Sequence, residues 1–205
     1  GSLSPIEWQL FNEYFTLNQK QRQHMLRRSI RKKTTFDNPK IQPLKNKILE
    51  SKHKSIKPEI DKKVVTSHNA YLLSAFSRVN RVFPSQDFSN VIKKNLDFLL
   101  TQHRSLWGKL FRRSIGGEVK HAAVLDDFAF LIDALIEYYQ VSVDEEYLIL
   151  AMNLQKQQDQ LFYDNNKKLY KYSQSKDVTF ISPFLFKDQG APSGLAISYW
   201  NLLRL

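Results

Sequence analysis

Three runs in this 205-residue chain begin with small or polar residues and then turn almost wholly apolar: TSHNAYLLSAF from Thr66, LDDFAFLIDALIEYY from Leu125 and PSGLAISYWNLL from Pro192. Their openings, taken at Ser67, Asp126 and Ser193, recur at intervals of roughly 60 to 70 residues, enough for an inner helix, an outer helix and a connecting hairpin in each unit. A helix apolar round most of its circumference has to be buried on several sides, whereas an amphipathic one covers a surface. FAFLIDALIEYY from Phe128 is of the first kind. The run from Ser85 to about His103, with Phe88, Val91, Ile92, Leu96, Leu99 and Leu100 on one side, is of the second kind. So is the run from about Asp144 to Phe162. Inner and outer helices therefore alternate, and the expected fold is all-α: a partial (α/α) toroid with short β-hairpins.

Local signals place the boundaries. Thr66 or Ser67 is a candidate N-cap for a helix running to about Arg81, and Phe83-Pro84-Ser85 breaks it before Ser85 caps the next. SLWGKLFRRSIGGEVKHAAV from Ser105 reverses at Gly116-Gly117, and LFYDNNKKLYKYS from Leu161 turns around Asp164-Asn165-Asn166, so each predicts a small hairpin. Ser4-Pro5-Ile6-Glu7 reads as a helix start with a reciprocal cap, and a short helix is expected from Pro43 to His53. The division that results is a helical and basic lead-in over residues 1–63 and a toroid domain over 64–205. If inner helices alternate with outer ones, all inner N-termini emerge at one end. Thr66 to Asn69, Asp126-Asp127 and Pro192 to Gly194 are then expected to converge on one mouth, with helix dipoles pointing at it.

Composition excludes several classes. The chain has no cysteine, which rules out disulfides, thiolate metal sites and a cysteine nucleophile. Its five histidines are scattered, so neither a metal nor another cofactor is expected. No apolar run approaches the roughly 20 residues of a bilayer span, and no signal-peptide pattern opens the chain, so a cytoplasmic protein without membrane contact is the expectation. The net charge of +11 is local: residues 20–63 hold 15 Lys or Arg against 4 acids, leaving 16 of each elsewhere. That segment, densest at Arg27 to Lys33, is interrupted by Pro39, Pro43 and Pro58 and reads as a solvated face or connection, or as a surface for acidic partners. With only Phe36 as an aromatic within it, a nucleic-acid reader is not expected.

At these residues the chain resembles a known family. VVTSHNAYLLSAFSR, LDDFAFLIDALIEYY, LFYDNNKKLYKYS and GAPSGLAISYWNLLRL are similar to the C-terminal part of the spermatogenesis-associated, thioredoxin-domain-containing proteins. The resemblance implies a helical toroid similar to N-acylglucosamine 2-epimerases and six-hairpin glycosidases. It further implies a thioredoxin-like domain lying upstream and absent from this chain, and further helices after Leu205, so that the chain is expected to be a fragment. The family carries Trp, Gly, Asp and Asn where His68, Ala70, Gln189 and Leu195 stand here.

The resemblance and the mouth together nominate a set of residues. Asp126 and Asp127 are candidate catalytic acids, with Asp188 as a second carboxylate, since such groups serve as general acid or base or bind sugar hydroxyls. An Asp at a helix start also serves as a cap, and adjacent helical residues diverge by about 100°, so the two do not face the lumen together. His68 is a candidate for proton exchange or, alternatively, a satisfied helix-entry histidine. Asn69, Trp107, Tyr172 and Ser193 are candidate ligand-binding groups, the aromatics being suited to stack on a sugar ring or to anchor a hairpin. The expected function is an epimerase-like or glycosidase-like toroid module with a carbohydrate-like ligand at its mouth. The alternative is a non-catalytic interaction module that packs on the thioredoxin-like domain of the same full-length protein or on an acidic partner. The mouth decides between them: one open, polar cavity lined by Asp127, Asn69, Asp188 and an aromatic favours a ligand, and filling by Leu195, Phe128 and Trp200 favours the module. For the basic segment, any heparin binding should weaken steeply with salt, and replacing Arg27, Arg28, Lys32 and Lys33 together should lower the slope of log K against log salt by roughly 3 to 4. An unchanged slope in a salt titration removes that surface from consideration.

Overall fold

The computed structural model describes residues 3–17, 26–28, 39, 42–53, 59–174, 183–188 and 190–205, in two compact units, Gly1–Ile60 and Asp61–Leu205. The first holds helix α1 (Pro5–Tyr14), an antiparallel strand pair β1 (Phe15–Leu17) and β2 (Leu26–Arg28), and helix α2 (Gln42–His53). The predicted reciprocal cap opens α1: the Ser4 amide donates to Glu7 Oε2 at 2.8 Å and the Glu7 amide to Ser4 Oγ at 3.4 Å. Lys47 reaches Glu7 Oε1 at 2.6 Å, and with the Ser4 amide it holds the Glu7 carboxyl down at about 2. Leu44 is buried against Leu3, Leu10 and Ile48. The strand pair was not expected from the sequence. The densest basic cluster falls on residues 27–33, of which only the backbone of Arg27 and Arg28 is described.

The second unit alternates as expected. Strand β3 (Val64–Val65) leads into helix α3 (Thr66–Val82), followed by α4 (Gln86–Gln102), strands β4 (Phe111–Ile115) and β5 (Glu118–Ala122), and helices α5 (Leu125–Ser142) and α6 (Glu145–Phe162). Strands β6 (Tyr163–Asp164) and β7 (Leu169–Tyr170) and helix α7 (Gly194–Leu202) complete it. Helix α5 packs between α3 and α7 with α6 behind it, and 13 of its 18 residues are buried, so it is an inner helix. By contrast α4 buries only Ile92, Leu96 and Leu99, the signature of an outer one. The apolar core joins α5 (Phe128, Leu131, Ile132, Leu135) to Leu73 of α3, Leu96 and Leu99 of α4, and Leu154 and Phe162 of α6.

The two hairpins sit where the turn residues put them. In β4–β5 the register pairs Ile115 with Glu118 across Gly116 and Gly117, whose φ of +58° and +85° is the left-handed geometry of a two-residue hairpin turn. The edge of β4 also pairs with β3, making a three-stranded sheet where a simple hairpin was expected. Here the Thr66 hydroxyl is used differently from the cap first assigned to it. It donates to the Phe111 carbonyl at 2.7 Å, so it accepts from His103 Nδ1 at 2.7 Å, leaving His103 Nε2 to accept from Ser114 Oγ at 2.8 Å. A fully buried neutral histidine thus ties α3, α4 and β4 together, its burial holding its pKa below the ordinary value. Ser85 likewise precedes α4 without a side-chain capping bond. Asp144 and Ser193 do cap α6 and α7, through Glu146 N and Ala196 N.

Toward its C-terminal end α5 carries two further buried acids, Asp133 and Glu137, on one face at a four-residue spacing. Arg204 spans them, Nη1 at 2.7 Å from Asp133 and Nη2 at 2.8 Å from Glu137. Arg78 bonds both as well, Ser74 Oγ donates to Asp133 at 2.5 Å, and Arg81 reaches Glu137 and Gln140. A buried carboxylate is tolerated only when paired in this way. Asp133→Ala, which strands the 13 %-exposed Arg204 side chain beside one acid, should cost roughly 3 to 5 kcal/mol in urea unfolding. Arg81→Ala, at a half-exposed position, should cost less than about 1 kcal/mol. Equal costs would show that the buried cluster carries no special weight.

Candidate functional site

The three inner-helix openings meet at one end of the unit, and two adjacent carboxylates join them. Asp127, the third residue of α5, accepts from the Val124 amide with Oδ2 and from the Ser67 amide of α3 with Oδ1, both at 3.0 Å. The first of these bonds is half of a capping box; Val124 has no side-chain acceptor to supply the other half. Asp126 points the other way and accepts from the Gly194 amide of α7 at 3.1 Å. A Cβ at position 194 would run into that carboxylate and lie 3.0 Å from the Asp126 backbone, so glycine opens α7 because the two helices touch.

The divergence assigns different work to the two acids. Asp127 is fully buried and lies 3.8 Å from Arg112. Burial raises its pKa to about 6, against the opposing pull of the Val124 and Ser67 amides and Arg112. It is not among the residues that line the cavity described next, and its carboxylate staples α3 to α5. Asp126 is also raised by burial, offset by the Gly194 amide, Arg112, Tyr172 and His68, and it does line the cavity.

That cavity encloses ≈ 540 Å³. Its polar wall carries Ser67, His68, Arg112, Asp126, Tyr172 and Ser193, and its apolar wall Phe130, Phe184 and Phe186, with Lys187 at the side. Arg112 Nη1 donates to the Tyr172 hydroxyl at 3.3 Å, which fixes one edge. The Tyr172 backbone is locked between two elements: its carbonyl accepts from Leu125 N at 2.9 Å and its amide donates to Pro183 O at 2.8 Å. Neither of the earlier alternatives describes the mouth as found. Phe128 and Leu195 belong to the core and Trp200 is half exposed, so nothing from that trio fills it.

Four nominated residues play other parts. Asp188 accepts from the Ser193 amide at 2.8 Å and locks the turn into α7. Asn69 turns back to donate to the Val65 carbonyl at 2.8 Å. Trp107 lies on the loop between α4 and β4, beside a different cleft. Asp127 is the staple. Conversely Arg112, Phe130, Phe186 and Lys187 were not singled out. Arg112 lacked any signal, being one of two adjacent arginines on a hairpin strand; Phe130 reads as core; Phe184 and Phe186 do show a period-two spacing that puts them on one side. Gln189, where the family resemblance departs, falls outside the described residues. Among the described residues no three His, Asp or Glu side chains come together as a metal site, and no helix is long and apolar enough to cross a membrane.

No protein-family model matches the chain. Over 170 residues it is 29% identical to spermatogenesis-associated protein 20 of Homo sapiens, a match that takes in 78% of this chain and 22% of the relative. The Rattus norvegicus protein of the same name is 27% identical over the same shares. The chain is thus a distant homologue of spermatogenesis-associated protein 20 over most of its length, and it spans about a fifth of the length of these relatives. Among solved structures, cellobiose 2-epimerase from Bacillus thermoamylovorans superposes with a TM-score of 0.57 at 20% identity, over 70% of this chain and 40% of that one. D-mannose isomerase gives 0.54 at 14% identity (72% and 40%), and an alpha-mannanase of Bacteroides thetaiotaomicron gives 0.51 at 13% (67% and 42%). The fold is therefore that of (α/α) toroids, with small antiparallel hairpins.

The Asp127 staple has a pH signature. Its folded pKa of about 6 lies above the ordinary 3.8, so between these values the folded state holds a proton that the unfolded chain has released. The stability this group contributes is present below about pH 4, is lost as pH rises to about 6, and is level above; the change is on the order of 3 kcal/mol. Asp127→Asn cannot titrate. Urea unfolding from pH 4 to 7 should show the stability difference between wild type and variant shrinking across this window; a constant difference excludes the shift.

Proposed function

We propose that the mouth cavity binds a carbohydrate-like ligand, and that its chemistry is epimerase-like rather than glycosidase-like. One observation carries this reading: a single carboxyl, Asp126, lines the cavity with His68, Arg112 and Tyr172, and Phe130, Phe184 and Phe186 line it too. Glycoside hydrolysis in its usual form needs two carboxyl groups flanking the bond. Asp127 is buried and Asp188 is bound to the turn, so among the described residues the wall offers one. Proton exchange beside a sugar carbonyl needs instead a base that works near neutral pH and a positive group to steady the developing oxyanion.

His68 takes the role of base in this reading, Arg112 that of the oxyanion partner, and Asp126 that of the group that bonds a sugar hydroxyl and orients His68. Phe184 and Phe186 face the C–H side of the ring. The converging helix N-termini add positive potential at the same place. Support comes from the toroid fold shared with cellobiose 2-epimerase and D-mannose isomerase, whose names state sugar chemistry of their own. No particular observation favours the non-catalytic reading, since its basic surface lies largely outside the described residues.

Thermal shift with mannose, cellobiose and N-acetylglucosamine tests this. A ligand near 100 times its Kd should stabilise by about 2.7 kcal/mol and raise Tm by several degrees. His68→Ala should erase the shift and leave the unliganded Tm within about 1 °C, since the side chain lies on the wall and not in the core. Asp127→Asn should instead lower the unliganded Tm. Sugar-induced shifts that survive His68→Ala, or no shift with any of the sugars, would overturn the proposal.

A further inference from the structure

The loop between α4 and β4 buries its two ends, His103 and Leu110, and exposes its middle. Its side chains Leu106 and Trp107 are 103% and 95% exposed. Yet the backbone beneath them is locked. Gly108 N donates to Ser105 O at 2.9 Å and closes a turn with Leu106 and Trp107 at its centre, while Ser105 N donates to Lys109 O at 2.9 Å and Lys109 N to Ser105 Oγ at 3.0 Å. Arg104 and Leu110 pair across the base as an isolated bridge. Gly108 takes φ +80°, and a Cβ there would stand 3.1 Å from Gln157 Nε2, so the turn is seated directly on the α6 amide. Leaving an indole in water forfeits roughly 2 to 3 kcal/mol of burial. A rigid turn that holds it there is a presenting device rather than a packing one.

Beside the indole lies a cleft of ≈ 410 Å³ with Leu110 and Phe128 among its apolar lining. Its polar edge is made of amides: Gln157, Gln160 and Gln174. Gln157 Oε1 is buried and has no hydrogen-bond partner in the protein. An acceptor left so costs about 1 to 3 kcal/mol unless something entering the cleft donates to it. Among the described residues no carboxylate or histidine lines the cleft, and its cation, Lys109, stands over the Phe111 ring at 5.7 Å.

We propose that this cleft is a second, non-catalytic carbohydrate site, which takes one pyranose unit of a neutral glycan with a C–H face on Trp107 and vicinal hydroxyls on the glutamine amides. Primary amides both donate and accept, which matches a pair of neighbouring hydroxyls, and the indole supplies a flat apolar face for the ring. Among the described residues the lining holds no carboxylate or histidine, and its one cation, Lys109, is engaged by the Phe111 ring, which separates binding here from reaction. The cleft shares no lining residue with the mouth, so the two proposals stand or fall separately.

Tryptophan fluorescence during titration with cellotetraose, mannotetraose and xylotetraose, up to about 10 mM, covers Kd values around 1 mM. At least one glycan should give a saturable change in emission. In a His68→Ala background, which removes binding at the mouth, Trp107→Ala should abolish binding measured calorimetrically, and Gln157→Leu should weaken it by about tenfold, the equivalent of one well-made polar contact. Trp107→Ala should leave Tm unchanged, because the side chain is exposed, so loss of binding there is not loss of fold. His68→Ala should leave the Trp107 signal intact. The inference is overturned by silence toward all three glycans, by calorimetric binding in the His68→Ala background that survives Trp107→Ala, or by a signal that disappears with His68.

Discussion

Two neighbouring aspartates hold this fold together at one end. Asp127 bonds the first turn of α3 and Asp126 the first turn of α7, so α5, which carries both, is tied to its inner-helix neighbours on either side. The arrangement follows from helix geometry. Consecutive residues diverge by about 100°, so one dipeptide addresses two flanking helices that no single side chain could reach. Each helix start leaves backbone amides without partners inside the helix, and these amides are what the carboxylates satisfy. The cap that α3 does not find in Thr66 or Ser67 comes from another helix.

That staple also shapes the cavity. With Asp127 spent on Val124 and Ser67, its charge is hidden behind the wall, where it neighbours Arg112. Arg112 therefore stands between a buried acid and the open space, close enough to both to remain in place without packing. Tyr172 holds it from the side. A cationic group positioned by a buried partner pays little reorganisation when a negative oxygen forms near it, the property that makes preorganised sites effective. The structural carboxylate and the solvent-facing one are thus not duplicates: one fixes the walls and the arginine, and the other faces whatever enters.

How much of this was legible in the sequence depends on range. The polar-to-apolar openings located the three inner helices, because periodicity and burial are local properties of FAFLIDALIEYY and its counterparts. Gly116-Gly117 and Asp164-Asn165-Asn166 located both hairpins for the same reason. Partner choice was not legible. That Asp127 rather than Asp126 would be buried depends on where α3 lies, and that Thr66 would bond His103 depends on a hairpin 45 residues away. Asp133 and Glu137 were visible as two acids four apart in an apolar helix, a pattern that calls for buried cations. Their partners Arg78, Arg81 and Arg204 are scattered over the chain and read individually as surface charges. Trp107 was assigned to the mouth from its closeness to the hairpin, but it stands exposed on the loop before the hairpin and lines a different cleft.

The two ends of α5 show why the mouth can carry a cavity at all. Near its C-terminal half, Asp133 and Glu137 are saturated by three arginines and a serine, leaving the helices closed there. At the N-terminal end the polar groups are fewer than their potential partners, and the helices are held by one bond from each carboxylate to its neighbour. The buried ion pairs lie toward one end of the bundle and the cavity at the other. The space that opens is lined by helix N-termini, so its field is positive before any side chain is counted. This chain therefore carries a polar, positively biased pocket at the amino ends of its inner helices, and the residues at that pocket decide what it will accept.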